Sequence, residues 1–185
     1  IDAIVELVGG SDGLAKELAY AAIKNKKHFI TANKALIAKY GYDLTSIVAN
    51  TDTAIYYEAA VAGAIPVINS IKEGLVSNNI LKMQAILNGT CNYILSDMTN
   101  NKTSLEESLE KAKELGFAEA DPTFDIEGID SAHKLVILGL LAYGAKPNLN
   151  KVYIEGITSI IAEDIAYADR LGYKIKLFCI ANLDN

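Results

Sequence analysis

The chain has 185 residues, of which 51% are hydrophobic and 22% are charged, and its formal net charge is −6. This composition is typical of a globular protein and excludes a disordered one. The negative charge argues against a nucleic-acid partner, because such binding needs a concentrated positive face. The longest apolar run, residues 135–145, is too short to span a bilayer, and there is no signal-peptide pattern. Two distant cysteines, Cys91 and Cys179, do not make a disulfide framework, so a reducing cytoplasm is the expected location.

Three apolar runs in the first third of the chain predict strands. They cover residues 4–8, 28–31 and 55–60. A helix over residues 13–26, with Ser11 as its N-cap, separates the first two runs, and this order predicts a parallel sheet. Residues 34–39 and 41–50 predict two further helical pieces. The first part of the chain is therefore predicted to be the later part of a nucleotide-binding α/β domain.

The chain contains no G-x-G-x-x-G sequence, and Gly9-Gly10 is not a phosphate-binding fingerprint. If the first domain is of the Rossmann type, its first strand and phosphate loop precede Ile1. The chain also starts within a predicted strand and ends, at Asp184 and Asn185, just after another. We therefore expect a piece of a longer protein, which by itself binds its cofactor poorly or not at all.

The glycine- and proline-marked stretch 62–66 predicts a change of domain, so we expect domains at 1–65 and 66–185. Predicted helices of the second domain cover residues 68–77, 91–98, 105–115 and 162–171, and predicted strands cover 80–87, 151–157 and 174–181. Ser104 with Glu107 matches a capping box for the third of these helices. The pattern predicts an α+β domain with a sheet covered by helices.

The acidic segment, residues 116–134, reads GFAEADPTFDIEGIDSAHK and carries five acidic residues before Lys134. Pro122 predicts that it starts as a loop, and Asp125 is a good N-cap for a helix that continues into the apolar sequence beyond. Asp130 and Lys134 are four residues apart, so they share one face of that helix. Carboxylates in this place can hold a substrate ammonium group, and the lysine can act as an acid or base.

The acidic segment has two other interpretations. Asp130 and Lys134 can be an ordinary surface ion pair, which contributes roughly 0.3–0.5 kcal/mol. A calcium loop is excluded, because Pro122 occupies its second position, Ile126 stands where glycine is needed, and Ala132 stands where glutamate is needed. The residues alone leave the ion pair and a reacting centre open.

Four runs in the chain carry a family resemblance, and they occur in the expected order. They are TANKAL (31–36), YEAAVAGAIPVI (57–68), ILNGTCNYIL (86–95) and AEADPTFDIEGIDSAHK (118–134). Together they resemble the homoserine dehydrogenases. The resemblance implies the later part of a Rossmann-type domain followed by an α+β catalytic domain. It implies an oxidoreductase that interconverts L-homoserine and L-aspartate 4-semialdehyde with NAD or NADP, in threonine, methionine and isoleucine biosynthesis. A cytoplasmic homodimer is also implied.

The resemblance assigns roles to individual residues. Lys134 matches the proton donor to the substrate oxygen, and Lys34 would add positive charge nearby and contact the substrate. Glu119 and Asp130 would bind the ammonium group, with Asp125 close by, while the amides of Gly89 and Thr90 would hold the carboxylate. The residues beside the cofactor are Gly9, Gly10, Thr31, Ala32, Asn33 and Lys34. Phe117 stands where some relatives have tyrosine, so a hydroxyl contact is lost there.

The resemblance also implies a sodium ion held by main-chain carbonyls, a ligand type that suits a hard cation. The residues that match this site are Glu58, Val61, Gly63 and Ile65. A plain interdomain hinge fits the same stretch equally well. Lys34 also fits a solvated lysine at a helix start, and Thr90 fits a simple N-cap.

Two further expectations concern metals and the function of the isolated chain. His133 lies on the apolar side of its helix, so a packed structural role is expected. The lack of H-x-x-x-H and C-x-x-C patterns predicts no zinc site. The alternative function is a non-catalytic piece that serves as a substrate-binding or subunit-interaction domain, because the phosphate loop is missing from the chain.

Overall fold

A parallel sheet of three strands lies in the first part of the chain. In the computed structural model, which describes residues 1–183, the strands are β1 (Ala3–Glu6), β2 (His28–Thr31) and β3 (Ile55–Tyr56), in that order across the sheet. β2 pairs in parallel with both neighbours. Helix α1 (Leu14–Lys24) connects β1 to β2. The predicted strand–helix–strand unit with a parallel sheet is therefore confirmed.

Two local predictions in this part are wrong. The N-cap of α1 is Gly13, whereas the Ser11 hydroxyl donates to the neighbouring carboxylate of Asp12. The third strand ends at Tyr56, and a 3-10 helix (Glu58–Ala60) occupies the rest of the range predicted as strand. In the first case the helix begins two residues later than the cap signal predicts, and in the second a 3-10 turn ends the strand early.

The two helical pieces predicted at 34–39 and 41–50 form one helix, α2 (Lys34–Val48). Gly41 lies within this helix. A Cβ at this position would lie 3.0 Å from Cγ2 of Ile37 in the same helix and 3.3 Å from Cδ2 of Leu140, so glycine here permits close packing. The contact with Leu140 is distant in sequence, and local propensity does not report it.

The remaining elements alternate between helices and two short strands. Helix α3 (Val67–Asn69) continues as a π-helix (Ser70–Gly74) and is followed by β4 (Lys82–Ala85), α4 (Gly89–Asn101), α5 (Leu105–Glu114), α6 (Thr123–Ile126), α7 (Ile129–Tyr143), a 3-10 helix (Leu149–Lys151), α8 (Ala162–Arg170) and β5 (Cys179–Asn182). Strands β4 and β5 form a second, two-stranded sheet. The strand predicted at 151–157 is wrong, because residues 152–157 are irregular.

The ends of α5 and α8 agree with the sequence. The Glu107 amide donates to Oγ of Ser104 at 3.2 Å, and the Ser104 amide donates to Oε2 of Glu107 at 2.9 Å, which is the predicted capping box. Gly172, two residues beyond α8, has a φ of 79°. A left-handed residue just after a helix favours glycine, which accounts for the end of α8 within one residue of the predicted end at 171.

The chain divides into two compact units. The first contains Ile1–Lys82, His133–Lys151 and the chain from Ala181, and the second contains Met83–Ala132 and Val152–Ile180. The core of the second unit consists of Cys91, Ile94, Leu95, Met98, Ala112, Ile157 and Ile165. Burial of each larger aliphatic side chain in such a core contributes roughly 1.5–3 kcal/mol. The predicted domain boundary at 65 stays a prediction, and residues 184 and 185, where the predicted second domain ends, lie outside the described residues.

Candidate active site

Helix α4 begins at a side-chain cap that fixes the first polar group of the site. Oδ1 of Asn88 accepts a hydrogen bond from the Cys91 amide at 2.7 Å, so Asn88 is the N-cap. Thr90, the N-cap in the alternative prediction, lies inside the first turn, and its hydroxyl is 2.7 Å from the carbonyl oxygen of Phe117. Asn88 is almost completely buried, and the sequence analysis assigned no role to it.

The cap residue also joins two carboxylates of the acidic segment. Nδ2 of Asn88 donates to Oδ1 of Asp125 at 2.6 Å and to Oδ2 of Asp130 at 2.9 Å. The Thr90 hydroxyl lies 3.2 Å from Oδ2 of Asp125. We call Asn88, Thr90, Asp125 and Asp130 the carboxylate cluster. Asp130 is only 2% exposed, so the cluster places negative charge in the interior of the second unit, where a cation is the complementary ligand.

The acidic segment reaches this cluster by folding as two helices. Asp125 is not the N-cap predicted for one long helix, because it lies within the short α6. Gly128, with a φ of 81°, then turns the chain into α7, whose second residue is Asp130. The left-handed conformation favours glycine at the turn. Two carboxylates five positions apart are thereby brought to one asparagine amide.

A neighbouring segment holds the turn between α6 and α7 in place. The Ile157 amide donates to the carbonyl oxygen of Ile126 at 2.8 Å. A Cβ on Gly156 would lie 2.6 Å from the Cα of Glu127, closer than real contacts allow, and would also overlap the carbonyl oxygen of Ile126. Glycine at position 156 therefore permits two backbone segments to touch beside the carboxylate cluster.

In the first unit, the carboxyl ends of β1 and β2 are joined through Glu6. Its Oε1 accepts from the amides of Val8 at 2.7 Å and Gly9 at 3.0 Å, and its Oε2 accepts from the Thr31 hydroxyl at 2.6 Å. The side chain is 1% exposed. Burial alone raises the pKa of the Glu6 carboxyl, but the hydrogen bonds from Thr31, Gly9 and Val8 outweigh it and hold the pKa below its usual value. The sequence analysis missed Glu6, because its hydrogen bond to Thr31, 25 residues away, exists only in the folded chain.

Asn33 makes a second link between the same two loops. Its Nδ2 donates to the carbonyl oxygen of Gly10 at 2.6 Å, and its amide donates to the Thr31 hydroxyl oxygen at 2.9 Å. Its Oδ1 accepts from the Leu36 amide, so Asn33 is also the N-cap of α2. Lys34 follows as the first helical residue and is half-buried. The structure thus brings Gly9, Gly10, Thr31 and Asn33 together, with Ala32 exposed and Lys34 next to Asn33 in the chain.

The glycine loop after β1 is open to a ligand. Gly9 and Gly10 have φ values of 84° and 77°, and no heavy atom lies within 4 Å of the position a Cβ would take at either residue. Nucleotides bind at the carboxyl ends of the strands in parallel sheets, where a bare backbone permits close approach. The loop and its neighbours therefore fit a dinucleotide, although the side chains of Thr31 and Asn33 are engaged within the unit.

Comparison with known proteins identifies the family. A family model described as homoserine dehydrogenase matches residues 66–184. The chain belongs to the homoserine dehydrogenase family. It is 49% identical to the homoserine dehydrogenase of Pseudomonas aeruginosa over 181 residues, which are 98% of this chain and 42% of that protein. The chain thus spans about two fifths of the length of the curated homoserine dehydrogenases that it matches.

Solved structures of homoserine dehydrogenases agree with the fold. The crystal structure of the enzyme from Thiobacillus denitrificans superimposes with a TM-score of 0.95 and 48% identity, over 100% of this chain and 43% of that one. A hyperthermophilic archaeal homoserine dehydrogenase in complex with NADPH superimposes with a TM-score of 0.82 and 28% identity, over 98% of this chain and 52% of that one. The predicted α/β fold class, with a Rossmann-type parallel sheet, is confirmed.

Several residues expected in a homoserine dehydrogenase site take positions outside the carboxylate cluster. Glu119 is exposed between α5 and α6, and Gly89 is the exposed first residue of α4. Lys134 is half-buried on α7, one helical turn after Asp130. Phe117 packs against Tyr93, with ring centroids 4.8 Å apart. The roles assigned to these residues stay predictions.

Residues 58–65, where the family resemblance predicts a sodium site, include a strained loop. Ala62 and Ala64 have positive φ values of 51° and 68°, a conformation that non-glycine residues rarely adopt. The Glu58 carboxylate accepts from the Ile68 and Asn69 amides, both at 2.9 Å, so its side chain is engaged as a helix cap. Main-chain oxygens are then the ligands that this stretch can offer, which fits a hard cation. The assignment stays a prediction.

Metal-binding clusters and membrane-spanning helices are both absent from the described residues of this chain. Within residues 1–183, no group of three or more histidine, cysteine, aspartate or glutamate side chains is placed to hold a metal ion. In the same range, no helix combines the length and the apolar character needed to cross a membrane. His133, expected to pack structurally, is half-buried on α7.

Proposed function

We propose that the whole polypeptide carrying this chain interconverts L-homoserine and L-aspartate 4-semialdehyde with NAD or NADP. The observation that carries the proposal is the carboxylate cluster. In it, Asp125 and Asp130 both accept hydrogen bonds from the buried side-chain amide of Asn88, and all three residues lie in the range that the family model matches. A pair of carboxylates in a sparsely solvated place selects an ammonium group. Homoserine and the semialdehyde share that group, so one site serves both directions of the reaction.

The substrate is held at both of its charged ends. Asp125 and Asp130 accept hydrogen bonds from the ammonium group, with Glu119 as the third acidic contact. At the start of α4, the amides of Gly89 and Thr90 face the substrate carboxylate, because the positive end of a helix favours an anion. The two ends fix the direction in which the reacting carbon points. A fixed orientation lowers the entropic part of the barrier.

The residues at the ends of β1 and β2 hold the cofactor, whose nicotinamide supplies or accepts the hydride when bound. These residues are Gly9, Gly10, Thr31, Ala32, Asn33 and Lys34. In the reducing direction, negative charge develops on the substrate oxygen. Lys134 donates a proton to that oxygen, directly or through water, and Lys34 stabilises the charge as it forms. In the oxidising direction, Lys134 accepts the proton back.

The experiment that tests this proposal replaces Lys134 by alanine in the whole polypeptide. Turnover, followed as homoserine-dependent formation of reduced nicotinamide, is expected to fall by about a hundredfold or more, the usual contribution of general acid–base catalysis. Lys113→Ala is the matched control, because Lys113 pairs with Glu110 on the surface of α5. Near-normal turnover of Lys134→Ala would sink the assignment.

Finer properties of the family are also proposed for this protein. We infer a homodimer in the cytoplasm that supplies threonine, methionine and isoleucine synthesis, with domains at 1–65 and 66–185. Sedimentation analysis of the whole polypeptide tests the dimer. The NADPH complex of the archaeal relative supports NADP as a cofactor, and titration with NAD and NADP tests the choice. A sodium ion at Glu58, Val61, Gly63 and Ile65 is tested by replacing sodium with a bulky organic cation in the assay.

A further inference from the structure

The amide of Asn88 has no spare hydrogen-bonding capacity on its nitrogen. A primary amide carries two N–H groups, and both are donated, one to Asp125 and one to Asp130. The oxygen of the same amide accepts from the Cys91 amide at the start of α4. This last bond also fixes which way the amide points, because a nitrogen facing the Cys91 N–H would place two donors together.

The three bonds link three elements at one buried point. Asn88 precedes α4, Asp125 lies on α6, and Asp130 lies on α7. A second contact ties α6 to α4, since Sγ of Cys91 lies 3.2 Å from the carbonyl oxygen of Asp125. The distance between the two carboxylates is therefore set by one nitrogen atom. Like charges held this close need a donor between them, because in the interior their repulsion is weakly screened.

We propose that Asn88 is a positioning residue of the ammonium site, which sets the spacing and orientation of Asp125 and Asp130. The inference rests on the function proposed above. It adds that the amide prevents the two carboxylates from moving apart and fixes the direction in which each one faces. Recognition of the ammonium group is then a property of Asn88, Asp125 and Asp130 together and not of either carboxylate alone.

Helix capping alone does not require asparagine. Serine, threonine and aspartate cap helices about as well, because a cap needs only a side-chain oxygen at the right distance. Only asparagine offers such an oxygen together with two donors on a side chain of this length. The residue type at position 88 is therefore explained by the carboxylates that it joins.

The test uses Asn88→Ser and Asn88→Asp in the whole polypeptide. Both variants keep an oxygen that can cap α4, and both lose the two N–H donors; the aspartate also adds a negative charge. The KM for homoserine is expected to rise by about tenfold or more, as for the loss of a hydrogen bond to a charged group. The dissociation constant of the cofactor, measured by fluorescence titration, is expected to stay within about twofold.

The matched control is Asn101→Asp. Nδ2 of Asn101 donates to Oδ1 of Asp97 at 2.7 Å, so this residue also joins an amide to a mostly buried carboxylate in the second unit. The control is expected to lower thermal stability and to leave the KM for homoserine unchanged. A second probe is 4-hydroxybutyrate, which lacks the ammonium group of homoserine. Its inhibition constant is expected to change much less than the KM for homoserine in the Asn88 variants.

The outcomes distinguish failure of the role proposed for Asn88 from failure of the proposed function. If the wild-type protein oxidises homoserine and the Asn88 variants keep its KM, this inference is overturned and the proposed function stands. Unfolding of both Asn88 variants beside a folded Asn101→Asp would assign Asn88 to the architecture alone and would also overturn it. Equal losses for homoserine and cofactor would do the same. If the wild-type protein does not oxidise homoserine, the proposed function itself fails.

Discussion

Replacement of Gly156 by alanine tests how the turn beside the carboxylate cluster is held. The added methyl group would lie 2.6 Å from the Cα and 2.9 Å from the carbonyl carbon of Glu127, and it would overlap the carbonyl oxygen of Ile126. These are backbone atoms, so no side-chain rotation relieves the overlap. The segment must move away, and the 2.8 Å hydrogen bond from the Ile157 amide to Ile126 is lengthened or lost.

The cost of this change can be worked from three terms. Overpacking of a tight contact costs about 1–3 kcal/mol. Loss of a backbone hydrogen bond adds about 1 kcal/mol. Alanine restricts the unfolded chain and returns about 0.4–1 kcal/mol, because Gly156 does not have a positive φ. The free energy of unfolding should therefore fall by about 1–3.5 kcal/mol.

Urea unfolding followed by circular dichroism measures this loss as a lower midpoint. Gly74→Ala is the control, because no heavy atom lies within 4 Å of the position a Cβ would take there. Its midpoint should be unchanged or slightly higher. The KM for homoserine should rise in Gly156→Ala, since the displaced turn connects the helices that carry Asp125 and Asp130. A Gly156→Ala protein as stable as Gly74→Ala would refute the reasoning.

Two further predictions follow from perturbed titrations. The pKa of Glu6 lies below its ordinary value of 4.5, so its ionised form stabilises the folded state above that pH, and the contribution is lost as the pH falls through the folded pKa. The urea midpoints of wild type and Glu6→Gln should therefore differ at neutral pH and converge in acid. A difference in midpoint that does not change with pH would contradict this. The control is Asp43→Asn, which removes one partner of an exposed ion pair. Burial, with the charges of Asp125 and Asp130, raises the pKa of Cys91 to about 12. Iodoacetamide should therefore label Cys91 only after unfolding, as peptide mass analysis would show. Rapid labelling of the native protein would mean that Cys91 is not packed as described.

The elements that were predicted well have signals within a few residues of sequence. The strand at 28–31 and the Ser104–Glu107 capping box are read from apolar runs and from a cap spacing of three. The runs that resemble homoserine dehydrogenases also predicted Asp125 and Asp130 as site residues. Periodicity alone could not distinguish such a site from a surface ion pair between Asp130 and Lys134. Local signals determine local structure, and they served for most of the helices.

The features that were missed depend on contacts between distant residues. The helix was predicted as two pieces, and Gly41 between them leaves room for Leu140, about a hundred positions away. Glu6 lies inside the strand predicted at 4–8, and its bond to Thr31 spans 25 residues. Asn88 had no predicted role, and its bond to Asp130 spans 42 residues. Such partners come together only in the folded chain, so the sequence around each of these residues does not reveal them.

The links between the loops after β1 and β2 have a consequence for the thermodynamics of ligand binding. The Glu6 carboxylate and the Asn33 amide already fasten Gly9, Gly10 and Thr31 in the folded chain. The conformational entropy of these loops is therefore lost during folding, and a ligand that arrives later does not have to order them. Binding should then resemble the docking of a rigid surface. Loosening either link would transfer the ordering cost to the binding step, where it would appear as faster dissociation and a less favourable entropy.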